Sequence, residues 1–381
     1  MKTALTIRYA TLYGGFFLTA GIMLPFWPLW LESRGLSSLQ IGFVLALGPW
    51  MRVFSNPLIA QISDRSGQPK LLLVILSTLS LIAFLLFLPA GSFPYILCVS
   101  LIASICFPAM LPIAESQVMS SVIRYGLDYG RIRLWGSLAF IIGTLGTGFL
   151  IGKYNPNLIL ILIILGLLLT LLAALVFPQE FKQQDSYNNS TIVTLLKQPQ
   201  FILFVISASL LQASHAVYNG FSTLYWKEAG IQEQLIGVLW VEGVFAEILL
   251  FSISGFLVSR IGPIKLLGIA GVCGLIRWTV LAQSTDISAL LSTQFLHALT
   301  FGAVHLGAMH FIAINAPAGR TATAQGIYTS ISGLVMGLAM VGAGSLYELF
   351  NGKAFYAMAI ISALGLIMTL ILSLRSVKTP K

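Results

Sequence analysis

Apolar runs of about 20 residues, set apart by short stretches of charge, Pro and Gly, recur along the whole chain. A run of that length is what an α-helix needs to cross about 30 Å of hydrocarbon at 1.5 Å per residue. The runs predict spans at 8–31, 40–62, 70–89, 93–119, 131–152, 157–177, 200–225, 235–258, 264–283, 287–312, 322–346 and 354–374. Twelve spans in 381 residues leave no room for a sizeable soluble domain, so the expected fold class is an all-α polytopic membrane protein. The first run follows Lys2 and Arg8 and stays apolar through Trp30. It is too long for a signal-peptide core and is expected to remain as a helix. The one long polar, Pro-bounded segment, 178–199, falls between spans six and seven. It reads as a linker between a six-helix bundle over 1–177 and a second over 200–381.

Composition narrows the choice further. The chain is 57% hydrophobic and 9% charged, against roughly 45–50% and about 25% in soluble domains. Soluble enzymes, nucleic-acid binders and disordered chains need more charge than this to stay hydrated. The formal charge of +9 takes its meaning from where the 21 Lys and Arg fall. With the amino terminus inside, fifteen lie in cytoplasmic segments and four (Arg34, Lys153, Lys227, Lys353) in outer ones, leaving Arg52 and Arg277 within spans. That asymmetry obeys the positive-inside rule for twelve spans with both termini cytoplasmic in the plasma (inner) membrane. The basic charge is topological, and no nucleic-acid partner is needed. Cys98, Cys106 and Cys273 all sit inside apolar runs and read as small buried hydrophobes, with no disulfide or metal framework. The absence of P-loop, HExxH and GxSxG patterns gives an ATP-driven pump or a membrane hydrolase no chemistry to run on, so the chain is not expected to be an enzyme.

Shifting the chain against itself by 195 residues aligns 26–48 with 221–243, matching Phe26/Phe221, Leu29/Leu224, Gly35/Gly230, Ile41/Ile236, Gly42/Gly237 and Gly48/Gly243. The same shift carries through the next loop, where Arg65/Arg260, Gly67/Gly262 and Lys70/Lys265 coincide. The repeat covers six spans, an even number, so both halves are expected to insert the same way about an axis along the membrane normal, with a central crevice between them.

The loop after span two, with Asp64, Arg65 and Gly67, and its degenerate copy after span eight resemble the signature of the major facilitator superfamily. Ala60 replaces the usual leading Gly, and Gln68-Pro69-Lys70 replaces the basic tail. The stretches LDYGRIRLWGSLAF (127–140), LLQASHAVYNGFSTLYW (210–226), GLIRW (274–278) and QFLHALTFGAVHLGAMHFIA (294–313) are similar to the 3-phenylpropionate transporters. They are also similar to related oligosaccharide and nucleoside proton symporters. The resemblance implies two pseudo-symmetric six-helix bundles working by alternating access as a monomer. It implies a small organic solute, most simply an aromatic carboxylate such as 3-phenylpropionate, driven by a proton gradient with no cofactor. An oligosaccharide or nucleoside symporter and an exporter of hydrophobic compounds stay open, as does, from another class, a non-transporting sensor.

Charge at membrane depth costs at least about 2.5–3.5 kcal/mol and marks function by default. The spans hold Arg52, Glu115, Glu242, Glu247 and Arg277, and all four histidines, His215, His297, His305 and His310, lie in the second half. Glu247, Arg277 and His297 or His305 occupy three consecutive spans. A carboxylate whose neighbouring Arg moves can load or release a proton, and the lactose-permease branch of the superfamily uses a similar Glu, Arg and His set. Packing or helix-pair hydrogen bonding explains any single one of them equally well. Gln212, His215, Asn219 and Ser222 are spaced i, i+3, i+7 and i+10 on one face of span seven, which either lines the crevice or bonds a neighbouring helix. Tyr13 and Trp240 are the aromatic candidates for stacking on substrate, whereas Trp27 and Trp30 read as core or interfacial belt. Arg52 is the repeat counterpart of Glu247. It either grips a substrate carboxylate with its planar fork or neutralises Glu115. Gly136, Gly143, Gly146 and Gly148 in span five, mirrored by Gly333, Gly337, Gly342 and Gly344 in span eleven, permit close helix contact.

Asp64, Arg65 and Gly67 are expected to serve conformational switching, because a charged inner turn makes contacts in one state of a cycle and loses them in the other. Asp64→Asn should therefore lower transport rate while substrate affinity, measured by equilibrium binding, stays near native. Equal losses in both would contradict it.

Overall fold

The computed structural model describes residues 2–178, 195, 197–316 and 320–377, without the side chains of Asp64, Ala322 and Val377. Most of the expected linker, 179–194 and 196, lies outside the described residues, and so does the Asp64 carboxylate. Among the described residues there is no strand.

The helices are α1 Lys2–Ser33, α2 Ser38–Ser66, α3 Pro69–Leu86, α4 Phe93–Tyr125, α5 Tyr129–Ile151, α6 Asn157–Val176, α7 Pro199–Ala213, α8 Ala216–Glu228, α9 Glu233–Ser252, α10 Ser254–Ile261, α11 Pro263–Gln283, α12 Ile287–His297, α13 Ala303–Asn315, α14 Thr321–Phe350 and α15 Phe355–Val377. Among the described residues eleven apolar stretches are long enough to cross a membrane, and the last, Thr323–Ser376, runs through most of both α14 and α15. The twelve expected passes are therefore all present.

Ends are set by local chemistry. Ser37 and Gln40 form a reciprocal capping box at the start of α2, and Asp128 and Asp286 cap α5 and α12. Pro69, Pro199 and Pro263 open α3, α7 and α11, where a missing N–H is harmless. Gly67 closes α2 at φ 61°, its N–H bonding Ser63 O.

The repeat is visible in these ends. α2 and α9 begin at Ser38 and Glu233, 195 residues apart, and α3 and α11 at Pro69 and Pro263, 194 apart. Gly35 and Gly230 have φ of 77° and 83°, and Gly67 and Gly262 have 61° and 79°. Both pairs are 195 residues apart, at positions where a side chain would be strained.

Contacts divide the chain into two units, Met1–Ser186 with Gly230–Val238, and Tyr187–Ala229 with Leu239–Lys381. The opening turns of α9 thus group with the first unit. A Cβ on Gly148 would lie 2.6 Å from Glu233 O, and one on Gly237 would lie 3.2 Å from Thr144 O, so small residues let backbone lie on backbone there.

Inside the first unit α1 packs against α5 and α6 through the same device. A Cβ on Gly143 would lie 2.6 Å from Leu18 O, one on Gly15 2.9 Å from Thr170, and Thr144 Oγ1 donates to Gly21 O at 2.8 Å. Trp27 and Trp30 stack at 4.6 Å and pack on Phe84 and Phe87, which makes them core rather than interfacial belt. The second unit repeats the theme where Ser207 Oγ donates to Gly365 O at 3.1 Å and a Cβ on Gly365 would lie 2.8 Å from Leu211 Cγ.

Three spans of the second unit are interrupted, unlike α1–α6. Span seven breaks between Ala213 and Ala216, span eight between Ser252 and Ser254, and span ten passes through a π-helical turn at Ala298–Gly302, where Ala303 N–H bonds Ala298 O.

Of the span-five glycines, Gly143 is closed in by backbone while Gly146, like Gly342 in α14, faces open space. Gly143→Val should cost about 1–3 kcal/mol by overpacking. Gly146→Val should be near neutral. Thermal unfolding of the purified protein in detergent measures the difference.

Candidate functional site

Arg277 on α11 is fully buried, and a buried guanidinium needs acceptors for its N–H groups. Nη1 donates to His297 Nδ1 at 3.1 Å and to Thr300 Oγ1 at 3.0 Å, and Nη2 donates to Gln294 Oε1 at 3.0 Å. Its faces meet the rings of Tyr218 at 4.4 Å and Trp278 at 4.8 Å. No carboxylate lies within 4 Å of it among the described residues. Every direct partner is therefore neutral.

The partners assign the histidine tautomer. A guanidinium only donates, so His297 Nδ1 accepts and the ring proton of the neutral imidazole sits on Nε2. Nε2 faces Glu247 Oε2 of α9 at 3.8 Å. The row Arg277, His297, Glu247 has one polarity, with N–H groups pointing from guanidinium towards carboxylate. Two glycines allow the approach of α9 to span ten. A Cβ on Gly243 would lie 3.3 Å from His297 Cβ, and one on Gly302 would lie 3.5 Å from Glu247 Cγ.

The same unit holds His215 at the span-seven break. Its Nδ1 is 3.1 Å from Gln212 O and must donate there, leaving Nε2 to accept from Thr300 Oγ1 at 3.2 Å. Gln212 thus enters through its carbonyl, and the break interrupts the polar face expected across Gln212, His215, Asn219 and Ser222. Asn219 and Ser222 sit on α8, the Ser222 hydroxyl buried with no hydrogen-bond partner among the described residues. Trp240 donates to Thr223 Oγ1 at 3.1 Å, and its ring lies 4.7 Å from that of Tyr218, whose hydroxyl donates to Gln294 Oε1 at 2.9 Å. The structure does not bring His305 into the cluster. It is exposed on α13, two turns past His297, with its ring 6.1 Å from Phe251. Arg277 Nε, Gln294 Nε2 and Glu242 Oε2 are buried polar atoms with no hydrogen-bond partner among the described residues.

In the first unit Glu115 of α4 accepts from Tyr129 Oη of α5 at 3.5 Å, and no ion pair joins it to Arg52 among the described residues. Neutralisation of Glu115 by Arg52 is therefore not the arrangement found. Arg52 is exposed on α2. The guanidinium near Tyr13 is Arg133, 4.0 Å over Phe17 and 5.9 Å from Tyr13, with Nη1 buried and without a hydrogen-bond partner among the described residues. Tyr13 is buried, its hydroxyl has no hydrogen-bond partner among the described residues, and with Phe16, Met110 and Ala114 it lines a small cavity.

Sequence reasoning counted Arg133 among the cytoplasmic charges and passed over Gln294, Thr300, Tyr218 and Trp278. Residues 294, 297 and 300 recur every three positions, a spacing that places successive members on neighbouring parts of a helix face and was there to be read.

Residues 6–358 match the MFS_1 like family. A probable 3-phenylpropionic acid transporter of Escherichia coli (strain K12) is 33% identical over 357 residues, 92% of this chain and 93% of that protein. The maltose permease of Geobacillus stearothermophilus is 24% identical over 378 residues, 98% of this chain and 95% of that protein. The crystal structure of nucleoside transporter NupG superposes with a TM-score of 0.84 at 18% identity, covering 99% of this chain and 100% of that one, a likeness of fold. Twelve helical passes, the repeated loop glycines and these matches lead to one conclusion: the chain belongs to the MFS_1 like family and is a multi-span membrane transporter of major facilitator type.

Proposed function

We propose that this transporter is a proton symporter for a small aromatic carboxylate, such as 3-phenylpropionate, working by alternating access in the inner membrane with both termini cytoplasmic. The observation that carries the reading is the row Arg277, His297, Glu247, in which a neutral imidazole separates the two charges. With Glu247 ionised, His297 Nε2–H points at the carboxylate while Nδ1 accepts from Arg277. A proton on Glu247 Oε2 cancels that attraction and leaves the guanidinium without its distant counter-charge. Protonation of one carboxylate thus changes what Arg277 holds.

Charge balance supports the substrate class. The row of the second unit is neutral overall when Arg277 and Glu247 are both ionised and His297 is not. A monoanion entering that neutral set in a low-dielectric interior is stabilised if one proton enters with it. The aromatic faces of Tyr218, Trp240 and Trp278 supply an apolar, stackable surface beside the donors. The E. coli relative named for 3-phenylpropionic acid accords with this. The unpartnered Gln294 amide and Ser222 hydroxyl, together with the maltose permease relative, favour a neutral sugar as the second reading.

Proteoliposomes separate the two. One proton with one monoanion moves no net charge, so accumulation of an aromatic acid should follow an imposed pH gradient and ignore an imposed potential. Accumulation driven by potential alone would favour the neutral solute. Glu247→Gln should retain binding and counterflow yet fail to accumulate substrate; native accumulation would remove Glu247 from the coupling role.

Arg52 is the guanidinium we assign to the carboxylate, being exposed on α2 and not committed to Glu115. Arg52→Lys keeps the charge but loses the bidentate fork. Binding of an acid substrate should weaken about tenfold, near 1.4 kcal/mol. A neutral solute should be unaffected.

A further inference from the structure

The break in span seven has a specific hydrogen-bond anatomy. His215 N–H bonds Gln212 O at 3.1 Å, a shortened step, instead of Leu211 O. The Leu211 carbonyl then accepts from Ser214 Oγ at 2.7 Å, and the Gln212 carbonyl accepts a second bond from His215 Nδ1 at 3.1 Å. The carbonyls at the joint are satisfied by side chains, as buried backbone requires.

Those two side chains are held in turn by neighbouring residues of α11. Trp278 Nε1 donates to Ser214 Oγ at 3.1 Å. Arg277 Nη1 donates to Thr300 Oγ1 at 3.0 Å, and Thr300 Oγ1 lies 3.2 Å from His215 Nε2. Two chains of hydrogen bonds therefore end on the joint. One reaches Ser214 from the Trp278 indole N–H with no hydrogen bond to the ionisable row, although the Trp278 ring lies 4.8 Å from Arg277; the other starts on the guanidinium that also holds His297 and, through it, faces Glu247.

Thr300 is the branch point. It has one proton and two acceptors within reach, His215 Nε2 at 3.2 Å and His297 O at 3.3 Å. Its position in the π-helical turn, where the regular backbone ladder is already disturbed, allows it to change acceptor without unwinding a further turn.

We propose that Thr300 is a positioning residue that links the Glu247, His297, Arg277 row to the joint at Ser214–His215, so that a change in the row loosens or tightens span seven. The inference rests on the proton-coupling reading only for what sets the row in motion. The joint itself is read without substrate or gradient, by amide hydrogen exchange of the purified full chain over residues 213–219.

Thr300→Val keeps the shape and removes the hydroxyl, and should raise exchange at the joint at least tenfold. Thr300→Ser should restore native exchange. Glu247→Gln should raise it too, and the double variant Thr300→Val with Glu247→Gln should exchange no faster than Thr300→Val alone, because the signal passes through that hydroxyl. Trp278→Phe, which cuts the other chain, should add to Glu247→Gln. If Thr300→Val does not fold, Thr300→Ala carries the same expectations. Native exchange in the Thr300 variants, failure of serine to rescue, or additivity of Thr300→Val with Glu247→Gln would overturn the link. Should Glu247→Gln accumulate solute normally while the joint still responds as described, the coupling reading fails and the link stands.

Discussion

The second unit is organised around one demand: a guanidinium shut away from solvent needs acceptors, and both terminal nitrogens of Arg277 find them. Arg277 is fully buried, and the charge that balances it stands one imidazole away rather than in direct contact. Direct pairing would give a strong, static ion pair whose separation costs several kcal/mol. Interposing His297 weakens the attraction and makes it depend on which ring nitrogen carries a proton. The residues converging there from α8, α11 and span ten are accounted for by that demand. Gln294 and Thr300 supply oxygens, and Tyr218 and Trp278 supply ring faces.

Helix packing in both units answers a second demand. Lipid tails are as apolar as the helices, so association between spans relies on close contact and on polar glue rather than on hydrophobic gain. A glycine in close contact with a neighbouring helix and a hydroxyl donating to a carbonyl recur in each unit, at Gly143, Gly15 and Thr144 in one and at Gly365 and Ser207 in the other. These contacts fix α1 and α7 against their neighbours, and α1 and α7–α8 carry Tyr13 and His215.

Much of the architecture was legible in the chain. Span positions follow from hydrophobic length, and the 195-residue repeat reappears in paired glycines with positive φ. Glu247, Arg277 and His297 could be grouped because ionisable residues are rare in apolar runs. His305 could not be separated from His297 by the same logic, since rarity says nothing about which face a residue occupies once a π-helical turn intervenes. The breaks were also hidden. Neither Ala213-Ser214-His215 nor Ala298–Gly302 carries a proline, and the span-seven joint is held by hydroxyl, imidazole and indole groups whose partners lie 64 to 85 residues away. Arg133 was lost for a simpler reason: it sits close to a helix end, where a charge usually meets water.

Duplicated halves need not share one mechanical character. The described helices of the first unit run unbroken through each pass, Pro25, Pro28, Pro49, Pro57, Pro108 and Pro112 included, whereas spans seven, eight and ten of the second are each interrupted. Each internal proline removes one rung and bends its helix without ending it, whereas the second unit ends one helix and starts another at Ala213–Ala216 and at Ser252–Ser254, and inserts a π-helical turn at Ala298–Gly302. The two copies have therefore diverged in how continuous their helices are, and the buried row of Arg277, His297 and Glu247 lies in the copy whose passes are divided.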